Sequence, residues 1–289
     1  MRLKHYYESL KIGKIYFNIE CDFKRHTREV STRSANSKGV ISTFTGGVDS
    51  FYTLLKNMNT IDTVLYCINY DINESKKRLL ELQLNTVRKV ANELQKKVII
   101  CKSNQRLLLQ SSDSPYLDKI KGKYGNDLWG YFIHGPCIFS NMYNLSSKYK
   151  TCYIPSSHPR SSNYLWGSSF HIDHLYSSSF LKVIHHGDCS RVDKIKGIIA
   201  CNKNIVFKYL KVCYSNPDQQ YNCSKCEKCR RTYIPIGIIN REYLTQLKTF
   251  NIDVDNFDEI KEKYLNINFK KNSDKDFQNE IKDLIKEGY

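Results

Sequence analysis

The chain has 289 residues, with 45 Lys and Arg against 29 Asp and Glu, a formal net charge of +16, and 11 cysteines. That length can bury a substantial core, either as one large α/β unit with additions or as two domains. No apolar run reaches membrane-span length, and the start, Met-Arg-Leu-Lys-His-Tyr-Tyr, has no apolar signal core, so no membrane partner and a cytoplasmic location are expected.

Residues 1–38 read as an N-terminal extension. Lys14–Cys21 alternates as an edge strand would, and 31–38 are polar enough for a linker. Val40-Ile41-Ser42-Thr43-Phe44 is then an apolar, β-branched strand, and Phe51-Tyr52-Thr53-Leu54-Leu55-Lys56 reads as helix. Between them Phe44-Thr45-Gly46-Gly47-Val48-Asp49-Ser50 turns strand into helix N-terminus. Such a turn presents bare backbone N–H groups to an anion, and the helix dipole adds to the attraction. Glycines let a phosphate approach where a Cβ would fend it off. Thr45 and Ser50 add hydroxyl donors, and Asp49 is placed to hold Mg²⁺ or to fix the loop. No Gly-Lys-Ser/Thr follows, so the turn is neither a Walker A loop nor the spaced-glycine dinucleotide fingerprint. An ordinary Gly-Gly turn is the alternative.

Thr63–Ile68 is the next strand, followed by a helix with Leu80, Leu84, Val87, Ala91 and Leu94 on one face. Val98–Cys101 is a short strand, and 136–147 a helix opened by Gly135-Pro136. Thr151–Ile154 and Leu181–Ile184 read as strands and Arg191–Ala200 as a helix. From Ile238 a helical tail is expected around Tyr243, Leu244 and Leu247, then Ile260 and Tyr264, then Ile281, Leu284 and Ile285, with 266–276 a charged loop. Strands alternating with helices predict an α/β fold with a doubly wound, mainly parallel sheet and ligands at the C-terminal strand ends. The expected organisation is 1–38 extension, 39–212 nucleotide-binding domain, 213–233 metal-binding element and 234–289 helical tail.

Cys213, Cys223, Cys226 and Cys229 follow the pattern C-x9-C-x2-C-x2-C. Thiolates two residues apart converge on one ion, and four sulfurs with no open position suit a closed structural Zn²⁺ site. An iron–sulfur cluster also uses close cysteines, and unliganded thiols are a third option. Lys225, Lys228, Arg230 and Arg231 would offset the thiolate charge. The other seven cysteines (Cys21, Cys67, Cys101, Cys137, Cys152, Cys189, Cys201) read as thiols of a reducing compartment, several in apolar runs as small buried hydrophobes. The net positive charge permits a nucleic-acid partner without favouring one, because the lysines are spread along the whole chain rather than gathered in a patch.

The segment Ser156–Ser179 is long, polar and follows a strand end, where a specificity loop would sit. Its His158, Arg160, Trp166, His171 and Asp173 are candidate substrate residues, able to bind a carboxylate, orient ammonia or act as general base. A second metal site and a plain solvated loop are the competing readings.

The Phe44–Ser50 segment resembles the PP-loop, Ser-Gly-Gly-x-Asp-Ser, of the ATP pyrophosphatase superfamily. Combined with the C-x9-C-x2-C-x2-C-x-Arg element from Cys213 to Arg231, it makes residues 39–239 similar to the 7-cyano-7-deazaguanine synthase family of queuosine biosynthesis. Further anchors are Ile68-Asn69-Tyr70-Asp71, Val192-Asp193-Lys194 and Val212-Cys213-Tyr214. Ser156-Ser157-His158, Trp166-Gly167-Ser168 and the ending Cys223 through Thr232 match a broad paralogue group more closely. The resemblance implies an adenine nucleotide alpha hydrolase-like fold, ATP and Mg²⁺ at Phe44, Thr45, Gly46, Gly47, Val48, Asp49 and Ser50, adenine and ribose near Tyr70, Asp71 and Ser103, and charge stabilisation by Arg191 and Lys194. It implies a ligase that adenylates a carboxylate or amide oxygen, releases pyrophosphate, and passes the acyl group to ammonia or an amine. Three departures bear on the acceptor. Ser161–Trp166 stands where the synthase has Gly-Tyr-Pro-Asp-Cys at its nucleobase pocket, His134-Gly135-Pro136-Cys137 replaces Pro-Gly-Arg-Asn, and Thr45 replaces the first serine. Close paralogues occur in bacterial antiviral cassettes and biosynthetic clusters, so the expected acceptor is a small molecule, a nucleobase or a protein terminus. A homodimer or a partner encoded alongside is compatible with this. Two alternatives stand beside the ligase: a PP-loop sulfur transferase using Cys137 or Cys189 as persulfide, and a non-catalytic zinc-bearing nucleic-acid module.

Overall fold

The computed structural model describes residues 39–105, 129–162, 164, 166–213 and 221–289. The expected extension 1–38 with its edge strand and Cys21, and Asn163, Leu165 and Tyr214 of the motif segments, lie outside them. Five strands, β1 (Gly39–Thr43), β2 (Thr63–Ile68), β3 (Lys97–Lys102), β4 (Tyr149–Pro155) and β5 (Lys182–His186), form one sheet in the order β3-β2-β1-β4-β5. Every neighbouring pair is parallel.

Strand pleating sorts the side chains onto two buried faces. Val64 and Tyr66 point to one face, where they pack with α1 (Val48–Lys56), α2 (Lys77–Glu93) and α4 (Arg191–Tyr209) through Phe51, Leu54, Val87, Val90, Ile195 and Ile198. Ile41, Leu65, Cys152, Ile154 and Val183 point to the other, under Cys137, Phe139 and Met142 of α3 (His134–Asn144). A sheet covered on both faces wants continuously apolar strands, which is why β2 reads TVLYCI without alternation. The chain steps outward from β1 to β3 and then returns to lay β4 on the other side of β1. In open parallel sheets ligands bind in the crevice where the strand order reverses, here the C-terminal ends of β1 and β4.

Four local expectations change. On α2 the buried face is Leu79, Gln83, Val87, Val90 and Ala91, with Leu80 and Leu84 only half-buried. α3 ends at Asn144 and follows directly on a π-turn at Trp129–Ile133. α4 runs on to Tyr209 through a kink at Asn202, whose side-chain oxygen accepts from the N–H of Ile205 and so recaps the second half. Residues 272–276 are the first turn of α8 (Asn272–Lys286), their charges forming its solvent face rather than a loop.

The tail is integral to the core. α5 (Glu227–Ile239), α6 (Tyr243–Gln246), α7 (Phe257–Leu265) and α8 contribute Tyr233, Leu244, Phe257, Tyr264, Ile281 and Leu284 to the same cluster as Phe51 and Val192. Of the cysteines outside the quartet, Cys67, Cys137 and Cys152 are buried as expected, Cys101 and Cys189 are half-buried, and Cys201 is exposed. Among the described residues no helix is long and apolar enough to cross a membrane.

Candidate functional site

The Gly46-Gly47 turn leaves β1 at the strand-order reversal. Gly46 has φ +77°, a left-handed conformation that glycine adopts without strain. Its carbonyl accepts from the N–H of Lys211 (2.8 Å), and the carbonyl of Thr45 accepts from Gln83 Nε2 (2.9 Å). Both carbonyls are thereby tied down. Gly47 is the N-cap of α1 and no side chain caps the first turn, so the helix N-terminus keeps its capacity for an anion. Ser50 braces the turn from inside, donating to the Gly47 carbonyl (3.0 Å) and accepting from the Thr45 N–H (3.4 Å). Thr45 is exposed. The side chains of Phe44 and Val48 are core, so these two residues can offer a ligand only their backbone.

Charge gathers around Asp49 on the first turn of α1. Lys194 Nζ lies 3.3 Å from Oδ1 and Arg191 Nη1 3.5 Å from Oδ2. Burial works against ionisation of Asp49, but Lys194 and Arg191 together hold its carboxyl below the usual range. Lys194 is 1% exposed and also donates to the Ser156 carbonyl (2.7 Å), while Arg191 donates to Thr232 Oγ1 of α5 (3.2 Å). Beside this group Lys211 pairs with Asp71 (2.7 Å), both nearly inaccessible. Lys228 joins them. Burial, with Arg231 and Arg191 adding repulsion, pushes its ammonium well below the ordinary lysine range, while Asp71 and Asp49 pull the other way. Lys194, Arg191, Lys211 and Lys228 thus gather around Asp49 and Asp71 at the mouth of a helix with no side-chain cap, with Glu227 and Glu280 also in the field of Arg191. Lys228 and Arg231, read from sequence as counter-charges to the thiolates, turn to this side instead.

The N-terminus of α4, by contrast, is already filled. Glu280 of α8 accepts from the N–H groups of Arg191 (2.8 Å) and Val192 (3.3 Å). Burial raises the Glu280 carboxyl and those two N–H groups oppose the rise. The anion-accepting end in this crevice is therefore that of α1.

At the ends of β2 and β3, Tyr70 and Ser103 converge on Gln105. The Tyr70 hydroxyl stands 2.6 Å from Gln105 Oε1 and 3.0 Å from the Cys137 carbonyl, accepting from Asn141 (2.6 Å), and Ser103 Oγ donates to Gln105 Oε1 (3.1 Å). Trp129 packs on the Tyr70 ring at 5.1 Å. Asp71 leaves this group for Lys211, so the three expected nucleoside residues divide between a polar group at the strand ends and the charged cluster. Cys67 and Cys101, register partners on β2 and β3, bring their sulfurs to 3.0 Å just below.

The segment between β4 and β5 forms a small, solvent-open cleft lined by His158, Arg160, Trp166 and His171, together with Tyr164, Phe170 and several serines. Ser156 anchors it, taking the His186 carbonyl with its N–H (2.8 Å), the Lys194 ammonium with its carbonyl and the His158 carbonyl with its hydroxyl (2.5 Å). His158 stacks on Phe277 of α8 at 5.5 Å and meets Tyr164 at 4.8 Å, and the Tyr164 hydroxyl donates to Asp276. Burial pushes the His158 imidazole down to about 4; Asp49 opposes this, and Arg231, Lys194 and Arg191 reinforce it. The ring is neutral at neutral pH and sits within the field of the Asp49 cluster, so cleft and glycine turn share one end of the sheet. Arg160 lies over Phe170 and pairs with Asp188 at the rim. The Trp-Gly-Ser segment closes against the start of α3, where a Cβ on Gly135 would stand 1.8 Å from the Gly167 carbonyl oxygen. Asp173 departs from expectation. It is fully buried beneath the cleft, accepting from Ser168 Oγ (2.7 Å), the Ser169 N–H (3.1 Å) and His185 Nδ1 (2.5 Å), so it offers no carboxylate to a substrate.

Cys213, Cys223, Cys226 and Cys229 come together with all four sulfurs within 4.8 Å of one another. Contacts of 3.8, 3.9 and 3.5 Å fit one metal ion, since four thiolates about 2.3 Å from a tetrahedral Zn²⁺ stand about 3.8 Å apart. Ser224 at φ +58° makes the knuckle, Cys226 N–H donates to Cys223 Sγ (3.3 Å), and Cys226 caps α5, whose dipole favours thiolate charge. The fourth ligand is fixed by Asn222, which accepts from the N–H groups of Val212 and Cys213 and donates to the carbonyls of Leu210 and Thr249. No known protein-family model and no curated protein matches the chain.

Four contributors escaped the sequence reading. Lys211 sits two residues before the first metal cysteine, and His185 shares the Val183 face of β5; both positions carried a signal in motif or periodicity. Glu280 and Phe277 lie on a helix read as a tail, and nothing local marks them.

Proposed function

We propose that this chain is an ATP pyrophosphatase of the PP-loop type, similar to 7-cyano-7-deazaguanine synthase with a diverged acceptor pocket. It adenylates a carboxylate or amide oxygen and hands the acyl group to ammonia or an amine. The observation that carries the reading is the uncapped Gly46-Gly47 turn beside an Asp49 held by Lys194 and Arg191, at the reversal of the strand order. The N–H groups of Gly46 and Gly47 would cradle the pyrophosphate as its charge develops, and Arg191 and Lys194 would stabilise it in a partly buried, low-dielectric site. Asp49 would hold Mg²⁺, which supplies charge neutralisation to the phosphates when bound. Tyr70 and Ser103 would border the nucleoside. The cleft of His158, Arg160, Trp166 and His171 would receive the acceptor, its neutral imidazole available as a hydrogen-bond acceptor. Zinc in the four-cysteine knuckle is structural, fixing α5 and with it Thr232 against Arg191. A cytoplasmic enzyme acting on a metabolite, a nucleobase or a protein terminus fits this chemistry.

The test incubates the purified chain with ATP, Mg²⁺ and a panel of carboxylates, from small heterocyclic acids to peptides, and follows AMP and pyrophosphate. Acceptor-dependent formation of both supports the reading; steady ADP and orthophosphate refutes it. One observation favours a second reading, sulfur transfer. The Cys67–Cys101 pair supplies two thiols in contact at the ends of β2 and β3, and a thiolated product in the same assay would select it.

A further inference from the structure

His185 is the one imidazole of the cleft whose ring is locked by a buried carboxylate. It lies on β5, paired in register with Ile154 of β4, on the strand face opposite its neighbour His186. His186 turns toward α1, where Asn57 and Thr53 engage its two ring nitrogens. His185 turns the other way and lines the cleft, with Phe170 edge-on to it at 4.2 Å. Its Nδ1 stands 2.5 Å from Asp173 Oδ2, and the two side chains are 5% and 0% exposed.

Three groups hold Asp173 in place. Ser168 Oγ, the Ser169 N–H and His185 Nδ1 are its partners, from the loop on one side and the strand on the other. A carboxylate in that position takes the Nδ1 proton as a hydrogen bond and leaves Nε2 bare. It also stabilises the imidazolium that forms once Nε2 accepts a proton.

We propose that His185 is the general base of the cleft, oriented by Asp173 as a positioning residue, and that it removes the proton of the attacking amine. The assignment rests on the reading of the cleft as the acceptor site. In the acyl-transfer step the amine nitrogen forms a bond to the acyl carbon and the carbon–oxygen bond to AMP breaks. AMP departs with that electron pair, and the proton lost by nitrogen passes to Nε2 of His185 and from there to water. The amine is a substrate, and no oxidant or reductant is consumed.

An activated ester tests the base without ATP. p-Nitrophenyl acetate stands in for the acyl-adenylate and ammonia for the amine, with release of p-nitrophenolate followed on the full-length chain. The expected result is ammonia-dependent release at least tenfold above buffer, returned to the buffer rate in His185→Gln and cut at least tenfold in Asp173→Asn. In the latter an amide donates to Nδ1 and drives the ring proton onto Nε2. Nitrogen-15 spectra of the histidines read the same switch directly: the wild-type ring carries its proton on Nδ1, and the Asp173→Asn ring on Nε2. A rate at the buffer level in the wild type, or an unchanged rate in His185→Gln, overturns the proposal. So does a wild-type ring protonated on Nε2, a readout that needs no variant to fold. Because ATP is absent from every arm, failure of the adenylation reading shows separately, as missing AMP and pyrophosphate.

Discussion

Acidification should unfold this protein partly through His158. In the fold the imidazole titrates near 4 because it is buried and surrounded by Arg231, Lys194 and Arg191; in the unfolded chain it titrates near its ordinary 6.5. Between those two values the unfolded state binds the extra proton, so stability rises with pH across the window and falls as pH drops from 6.5 toward 4. At 1.36 kcal/mol per unit the full loss is about 3 kcal/mol, reached below pH 4, and about 2 kcal/mol is already gone at pH 5. Urea unfolding at pH 7.5 and pH 5.0 on wild type and His158→Gln measures it. The variant lacks the titrating ring, so it should lose about 2 kcal/mol less than wild type between the two pH values. His186, also lowered by burial, is present in both chains and cancels in the comparison. Equal losses in the two proteins would refute the placement of His158 in a buried, cation-rich environment.

The two glycines of the turn should behave differently. Gly46→Ala forces a side chain into φ +77° and should cost about 1 kcal/mol or more of stability in a thermal melt. Gly47→Val has room for its Cβ, the Lys211 carbonyl being nearest at 3.5 Å, so it should cost about 1 kcal/mol through the poorer N-cap and abolish ATP binding by calorimetry. Metal analysis should find one zinc per colourless chain, and Cys226→Ser should lose the metal and with it several kcal/mol of stability or more, on the order of ten for a small structural site. Glu280→Ala strands the N–H groups of Arg191 and Val192 and should cost about 1–3 kcal/mol in denaturant.

What the sequence made legible was whatever is encoded locally. Thr63–Ile68 is a strand to the residue because both its faces are apolar, and the four cysteines converge because their spacing leaves little choice. His158, Arg160, Trp166 and His171 line one cleft because they belong to one segment between β4 and β5. What stayed hidden depends on register and packing. Asp173 looks like any polar loop residue until β5 brings His185 against it. The charged run 272–276 resembles a loop because its apolar face, Phe277 and Ile281, begins only after it. Glu280 finds its partners 89 and 88 positions away, across a helix junction that no periodicity announces.

That last contact gives the molecule a temporal asymmetry. Chains emerge from the ribosome N-terminus first, so the glycine turn and the start of α4 exist before α8 is made. Until Glu280 arrives, the N–H groups of Arg191 and Val192 lack the carboxylate that engages them in the finished fold. Phe277 and Asp276 arrive with it and close the wall behind His158 and Tyr164.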